Sequence, residues 1–159
     1  SIVYNMYSKD FKRSNKILFY TSFGKYMRGS KPLYNINNKW LNYSTNVKPI
    51  YIRLNTTHQF AAVNIDIQSR DKEIQTIFYD QFKEIKKPFE SILGNDWEWN
   101  EDIINEVGTS CSRISKEIAN VNIYEKISWP LIFDFFKKNL LGFDQFWTEF
   151  NELFKQLDS

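Results

Sequence analysis

Near the end of the chain, Ile132, Phe136, Leu140, Phe143, Trp147, Phe150, Phe154 and Leu157 follow one another at steps of three and four. That rhythm is the period of an α-helix burying one continuous stripe, and no strand can present it. A helix so long, with so aromatic a face, needs a broad apolar surface to lie on. The spacing predicts a start at Ser128, with Trp129 and Pro130 in the first turn, where proline costs no hydrogen bond. Gly142 weakens the middle and Asp144 can restart a second segment. One kinked helix and two stacked ones are both expected forms.

Inside this stripe lies a short pattern, Phe-(Tyr/Trp)-x-x-Phe, as FWTEF at 146–150. It recurs as FYTSF at 19–23 and FYDQF at 78–82. At this chain's Phe, Tyr and Trp frequencies, chance supplies roughly 0.1 copies, so the pattern has a cause. The copies are 59 and then 68 residues apart with unlike flanks, which excludes a tandem repeat. Each falls within a helical apolar face, so the expected cause is packing of three helices on one core.

The first of these helices begins after Ser8, a good N-cap, and runs to about Met27, with Gly29 as its stop. The second begins near Ser69. Ile74, Phe78, Phe82, Ile85, Phe89 and Ile92 form its face, Pro88 kinks it or ends it early, and Gly94 closes it. Between these two helices, residues 40–44 are a short strand candidate. Residues 49–55 alternate, with Ile50, Ile52 and Leu54 on one face and Tyr51 and Arg53 on the other. After a turn through His58, Ala61, Val63, Ile65 and Ile67 alternate again, which predicts an antiparallel hairpin. Residues 96–99, DWEW, and the stretches 110–118 and 120–124 add strand material before the last helix. The expected order is α-β-β-β-α-β-β-α. The fold class is α+β, an antiparallel sheet of about five strands covered by three amphipathic helices, in a single domain over residues 6–159. Residues 1–5, ahead of Met6, are expected to be a linker or a remnant outside that domain.

Composition narrows function mainly by exclusion. Cys111 is the one cysteine and His58 the one histidine, so neither a disulfide framework nor a structural zinc site is expected, and a reducing cytoplasm fits. No apolar run reaches the ~20 residues of a membrane span. Five glycines leave no phosphate-cradling loop, and no cofactor is expected. The (Asp/Glu)-x-Lys pair of a metal-dependent nuclease occurs only at Asp10–Lys12 and Glu84–Lys86, both on predicted helices, where solvated surface charge is the simpler account. Glu98, Glu101, Asp102 and Glu106 can attract a cation but lack the glycine-punctuated loop of a calcium site. Without an adjacent imidazole, Cys111 reads as a packed thiol. No catalytic residue and no metal ligand is therefore expected.

Charge is more telling. Residues 1–60 carry ten Lys/Arg against one acidic side chain, and residues 61–159 carry eleven against eighteen. Such a split points either to a polyanionic partner or to a basic segment folded against an acidic one, of the same chain or of a second copy. Lys9, Lys12, Arg13 and Lys16 share one stripe of the first helix and are the candidate nucleic-acid-binding residues, with Tyr4, Tyr7 and Tyr20 near enough to stack on bases. The alternative is a homodimer, in which Phe143, Trp147, Phe150 and Phe154 of the last helix meet a second copy.

One ordered set of motifs spans the chain. It runs Phe19-Tyr20, Phe23-Gly24, Tyr26-Met27, Trp40, Tyr51-Ile52-Arg53, Asp96-Trp97-Glu98-Trp99, Ser112-Arg113-Ile114, Trp129-Pro130 and Phe146-Trp147. Over residues 6 to 157 this resembles the bacterial domain-of-unknown-function family 4268. Members of that family occur alone or after nuclease-like domains. The resemblance thus implies a place beside DNA processing or phage defence, with a fused or neighbouring nuclease-like protein as a partner. It brings no catalytic residues.

Overall fold

The structure is a computed structural model that describes residues 6–158. Tyr4 and the expected remnant at 1–5 lie outside the described residues. In chain order the elements are α1 (Lys9–Tyr26), β1 (Ile50–Thr56), β2 (Phe60–Ile67), α2 (Lys72–Glu84), α3 (Lys86–Leu93), β3 (Glu98–Ile104), β4 (Ser110–Ala119) and α4 (Trp129–Asp158). The four strands form one antiparallel sheet in the order β1-β2-β4-β3, two hairpins joined along β2 and β4. The α+β class and the antiparallel sheet stand as expected. Among the described residues the count is corrected to four strands and four helices, in the order α-β-β-α-α-β-β-α.

Each correction has a physical cause. The expected second helix breaks at Ile85 (φ −109°, ψ 31°) into α2 and α3. In one continuous helix the Pro88 ring would collide with the carbonyl of Glu84 and offer it no N–H. After the break Pro88 sits in the first turn of α3, where that N–H is not required. Residues 40–44 are not a strand because their polar groups are taken from elsewhere. Trp40 Nε1 donates to the Ser30 carbonyl (2.6 Å) and the Tyr43 hydroxyl to Asp144 Oδ1 (2.7 Å). Residues 120–124 are not a strand either. The Ile123 carbonyl accepts from Asn15 Nδ2 and from Trp129 Nε1, both at 2.7 Å, which ties α1 and α4 to this turn.

The last helix settles the alternative left by Gly142. α4 is a single helix of 30 residues, about 45 Å long. A Cβ built on Gly142 would lie 2.7 Å from Leu93 Cδ2, so the glycine is where the end of α3 presses onto α4. Asp144 restarts nothing. It is 1% exposed and accepts from the backbone N–H groups of Leu33 (2.6 Å) and Tyr34 (3.2 Å) as well as from Tyr43. Trp147 Nε1 adds a bond to the Thr45 carbonyl (3.0 Å). One carboxylate and one indole on α4 thus fasten the long connection before β1, whose backbone groups would otherwise lack partners.

The helices press on one face of the sheet, where Val63, Ile65, Ile67 and Ile114 are buried. The three aromatic patterns meet there as core. Phe82 lies 6.2 Å from Phe146 and 4.4 Å from Phe154, while Phe19 and Phe23 lie 6.3 and 5.5 Å from Phe136. Among the described residues no helix is long and apolar enough to cross a membrane.

Candidate functional site

α1 begins as expected, with Ser8 Oγ accepting from the Phe11 N–H at 3.0 Å. Its inner face is Asn15, Phe19 and Phe23. Lys12 and Lys16 lie about one turn before Asn15 and Phe19 and so border that face, while Lys9 and Arg13 turn farther from it. Lys9 and Arg13 are exposed, and Lys12 and Lys16 are half-buried. Arg13 lies 3.5 Å from Asp10 across one turn, a contact exposed on both sides and worth little. The four candidate cations therefore do share a surface, with one carboxylate among them.

The aromatic side chains expected to stack on bases are differently employed. Tyr7 is stacked on Phe11 (5.3 Å) and packs on Tyr124 (5.0 Å). The Tyr20 hydroxyl is hydrogen-bonded to Thr56 Oγ1 at 2.8 Å, and burial raises its pKa. Both are structural contacts of α1.

The structure decides how the two halves of the charge distribution relate. Among the described residues, one ion pair, Arg53–Asp66 at 2.9 Å, joins a cation before residue 61 to a carboxylate after it. Lys9, Lys16, Lys25, Arg28, Lys31, Lys39 and Lys48 make no ion pair within the described chain. The basic segment packs on the acidic one mainly through apolar contacts and neutral hydrogen-bond partners rather than through ion pairs. Its charge continues past α1, where Arg28, Lys31 and Lys39 line a cleft of about 260 Å³ with Met27 and Trp40.

The polar face of the sheet holds a second cluster, and sequence reading missed it. Asp66, 0% exposed near the end of β2, accepts from Arg113 Nε (2.7 Å) and Nη2 (2.9 Å) and from Arg53 Nη1 (2.9 Å). Arg113 also holds Glu106 with both terminal nitrogens, at 2.6 and 2.9 Å, and Arg53 reaches Gln68 Oε1 at 2.9 Å. Antiparallel register sets Asp66 directly opposite Arg113, so the pairing follows from strand alignment. The one available signal was that Arg53, Asp66 and Arg113 all fall on the outward phase of their strands. Hydrogen bonds from Arg113 hold the Glu106 carboxyl down to about 2. Every charge in this cluster has a partner, which suits a brace across three strands.

The remaining candidates are placed as follows. Cys111 is buried, and desolvation with Asp66 nearby pushes its thiol up to about 11, away from nucleophilic use. Asp102 sits in a β3 bulge at φ +60°. It pairs with Lys72 and accepts from Ser110 Oγ (2.7 Å), and these contacts lower its pKa. Glu106 belongs to Arg113, so the acidic residues do not converge. Among the described residues no group of three His, Cys, Asp or Glu is placed to hold a metal ion. Of the interface candidates, Phe143, Trp147 and Phe154 are buried in the core and Phe150 is half-buried. Phe143, Trp147 and Phe154 are core within the described chain, because α4 is covered by the sheet, the other helices and the connection at 30–49, while Phe150 and Leu157 leave the end of the stripe partly open.

No curated protein and no solved structure matches this chain. The family model for a domain of unknown function, DUF4268, matches residues 16–151, from the last cation of the α1 stripe to the final turns of α4, and the chain belongs to that family.

Proposed function

We propose that this chain is a non-catalytic module that binds nucleic acid through the cationic surface of α1 and the segment after it. One observation supports the reading above the others: seven cations of the first sixty residues have no carboxylate partner within the described chain. Uncompensated charge on one side of a small domain attracts polyanions and speeds their encounter. Lys9, Lys12, Arg13 and Lys16 lie along one helix flank and can each neutralise a phosphate. Because Tyr7 and Tyr20 are engaged within the fold, contact is to the phosphate backbone rather than to splayed bases, and sequence preference is weak. Such a module serves as an accessory that brings a DNA-processing or defence nuclease to its substrate.

Titration of labelled duplex DNA and RNA across a salt series tests this. Four neutralised phosphates lower affinity about 100-fold between ~50 and ~200 mM salt. Replacing Lys12→Glu together with Arg13→Glu reduces it by at least about tenfold. Binding indifferent to both salt and that double change, or none at low salt, would sink the reading.

A further inference from the structure

The two edges of the sheet are built differently. The β3 edge is blunted in the usual ways: a register shift between Asn100 and Ile103, Asp102 at positive φ, and exposed Glu98, Glu101 and Asp102. β1 has no bulge, no proline and no glycine between Ile50 and Thr56.

Hydrogen-bond phase shows which β1 groups face away from the sheet. The Gln68 N–H donates to the Pro49 carbonyl and the Thr57 N–H to the Phe60 carbonyl, so odd-numbered residues turn their backbone groups toward β2. Even-numbered residues turn theirs outward. At Ile50 both outward groups are taken: its N–H donates to the Val47 carbonyl, and its carbonyl accepts from Thr45 Oγ1. At Ile52 and Leu54 the outward N–H and C=O have no hydrogen-bond partner among the described residues.

Those groups open onto two clefts that share Asn42, Ile52 and Arg53 and together follow β1 along its length. One, of about 550 Å³, lies between α1 (Lys16, Tyr20) and Leu41; the other, of about 590 Å³, lies beside residues 43–48. Lys16, Lys48 and Arg53 are the cations lining them, and Asp158 at the far end is the lone carboxylate.

We propose that the outer edge of β1 is a strand-addition site for an extended acidic peptide. A peptide in this groove makes four backbone hydrogen bonds to Ile52 and Leu54. Its side chains alternate between the apolar flank at Leu41 and the cations at Lys16 and Lys48. Charge complementarity favours this occupant over a second β1 edge, which would bring the same cations together. An acidic β3 from another copy has suitable charge, but its bulge interrupts the row of donors and acceptors that pairing needs.

The test begins with selection from a displayed library of random peptides of about eight residues. Peptides alternating apolar and acidic side chains are expected to be enriched, and no enrichment overturns the proposal. An enriched peptide is then titrated calorimetrically beside two variants. Methylation of its alternate amide nitrogens, and Lys in place of each acidic residue, each weaken binding at least about tenfold. Equal binding of the methylated peptide overturns strand addition, and equal binding of the Lys peptide overturns the acidic preference. Hydrogen exchange on the complex supplies a readout independent of protein variants: the amides of Ile52 and Leu54 exchange quickly in the free protein and slow on peptide addition. Protection elsewhere instead counts against the site. The Lys12→Glu, Arg13→Glu variant leaves peptide affinity within about twofold at 0.15 M salt, where charges outside the groove are largely screened. Failure of the nucleic-acid reading is thus distinguishable from failure of this one. Sedimentation showing self-association blocked by the peptide would assign the edge to a second copy and overturn the proposal.

Discussion

Asp144 ties a long connection to the last helix through a single side chain. It is buried in a helix and receives two backbone N–H groups and one tyrosine hydroxyl from a connection more than a hundred residues away in sequence. Burial and that hydrogen bond together raise the pKa of Tyr43. Asp144→Ala strands those three donors away from water, so urea unfolding should show a loss of about 2–3 kcal/mol. Asp144→Asn keeps the shape but offers one acceptor oxygen where three donors converge, and should cost somewhat less. A loss below about 0.5 kcal/mol for Asp144→Ala would show that the connection is held mainly by its apolar contacts.

Glu106 gives a pH signature. Its folded pKa is depressed to about 2 from an ordinary value of 4.5. Its contribution is therefore complete above pH 4.5 and disappears as pH falls through about 2. Because the side chain is half exposed, solvent screening reduces the contribution to about 1 kcal/mol. Glu106→Gln should be less stable than the parent at pH 7 by that amount and should narrow the gap below pH 3, as thermal melts across pH would show. Neither residue was legible as a site beforehand. Asp144 read as a helix start because its chemistry suits a cap, and nothing local reveals that a distant loop needs an acceptor. Arg53, Asp66 and Arg113 could be assigned an outward phase, but their mutual pairing depends on β2 meeting β4, which only topology decides.

Elements with a sustained period were legible, and those without one were not. The β1–β2 hairpin and the capped start of α1 follow from alternation and from Ser8, both local causes. The false strands at 40–44 and 120–124 are apolar segments too short to carry a period. Their burial (Trp40, Tyr43, Val121, Ile123) comes from anchoring rather than pairing. The unbroken course of α4 through Gly142 turns on one contact that sequence does not display, the 2.7 Å approach of Leu93. Gly142→Ala gains about 1 kcal/mol of helix propensity but must displace the end of a nearly buried leucine. It should be neutral or destabilising in the parent chain. In a Leu93→Ala background the obstruction is gone, and the same substitution should stabilise by about 1 kcal/mol. Chemical denaturation of the four variants measures that coupling, and additive effects would remove the steric explanation.

At the scale of the molecule, one aromatic core joins every helix to the sheet. Far-ultraviolet dichroism and tryptophan fluorescence should therefore report a single coincident unfolding transition, and separated midpoints would mean that α1 or the 30–49 connection detaches first. The charge map is equally global: most cations of the first third and most carboxylates of the remainder stand outside the ion pairs of the described residues. That separation was visible as a count. Whether it closed on itself was not, since ion pairing depends on which surfaces meet. The unlike edges of the sheet carry a further consequence. A molecule that can accept a strand on one side and offer none on the other has no means of passing the connection along. Growth halts after one addition, so occupancy of β1 saturates at a one-to-one complex, and the exposed edge does not seed fibrils.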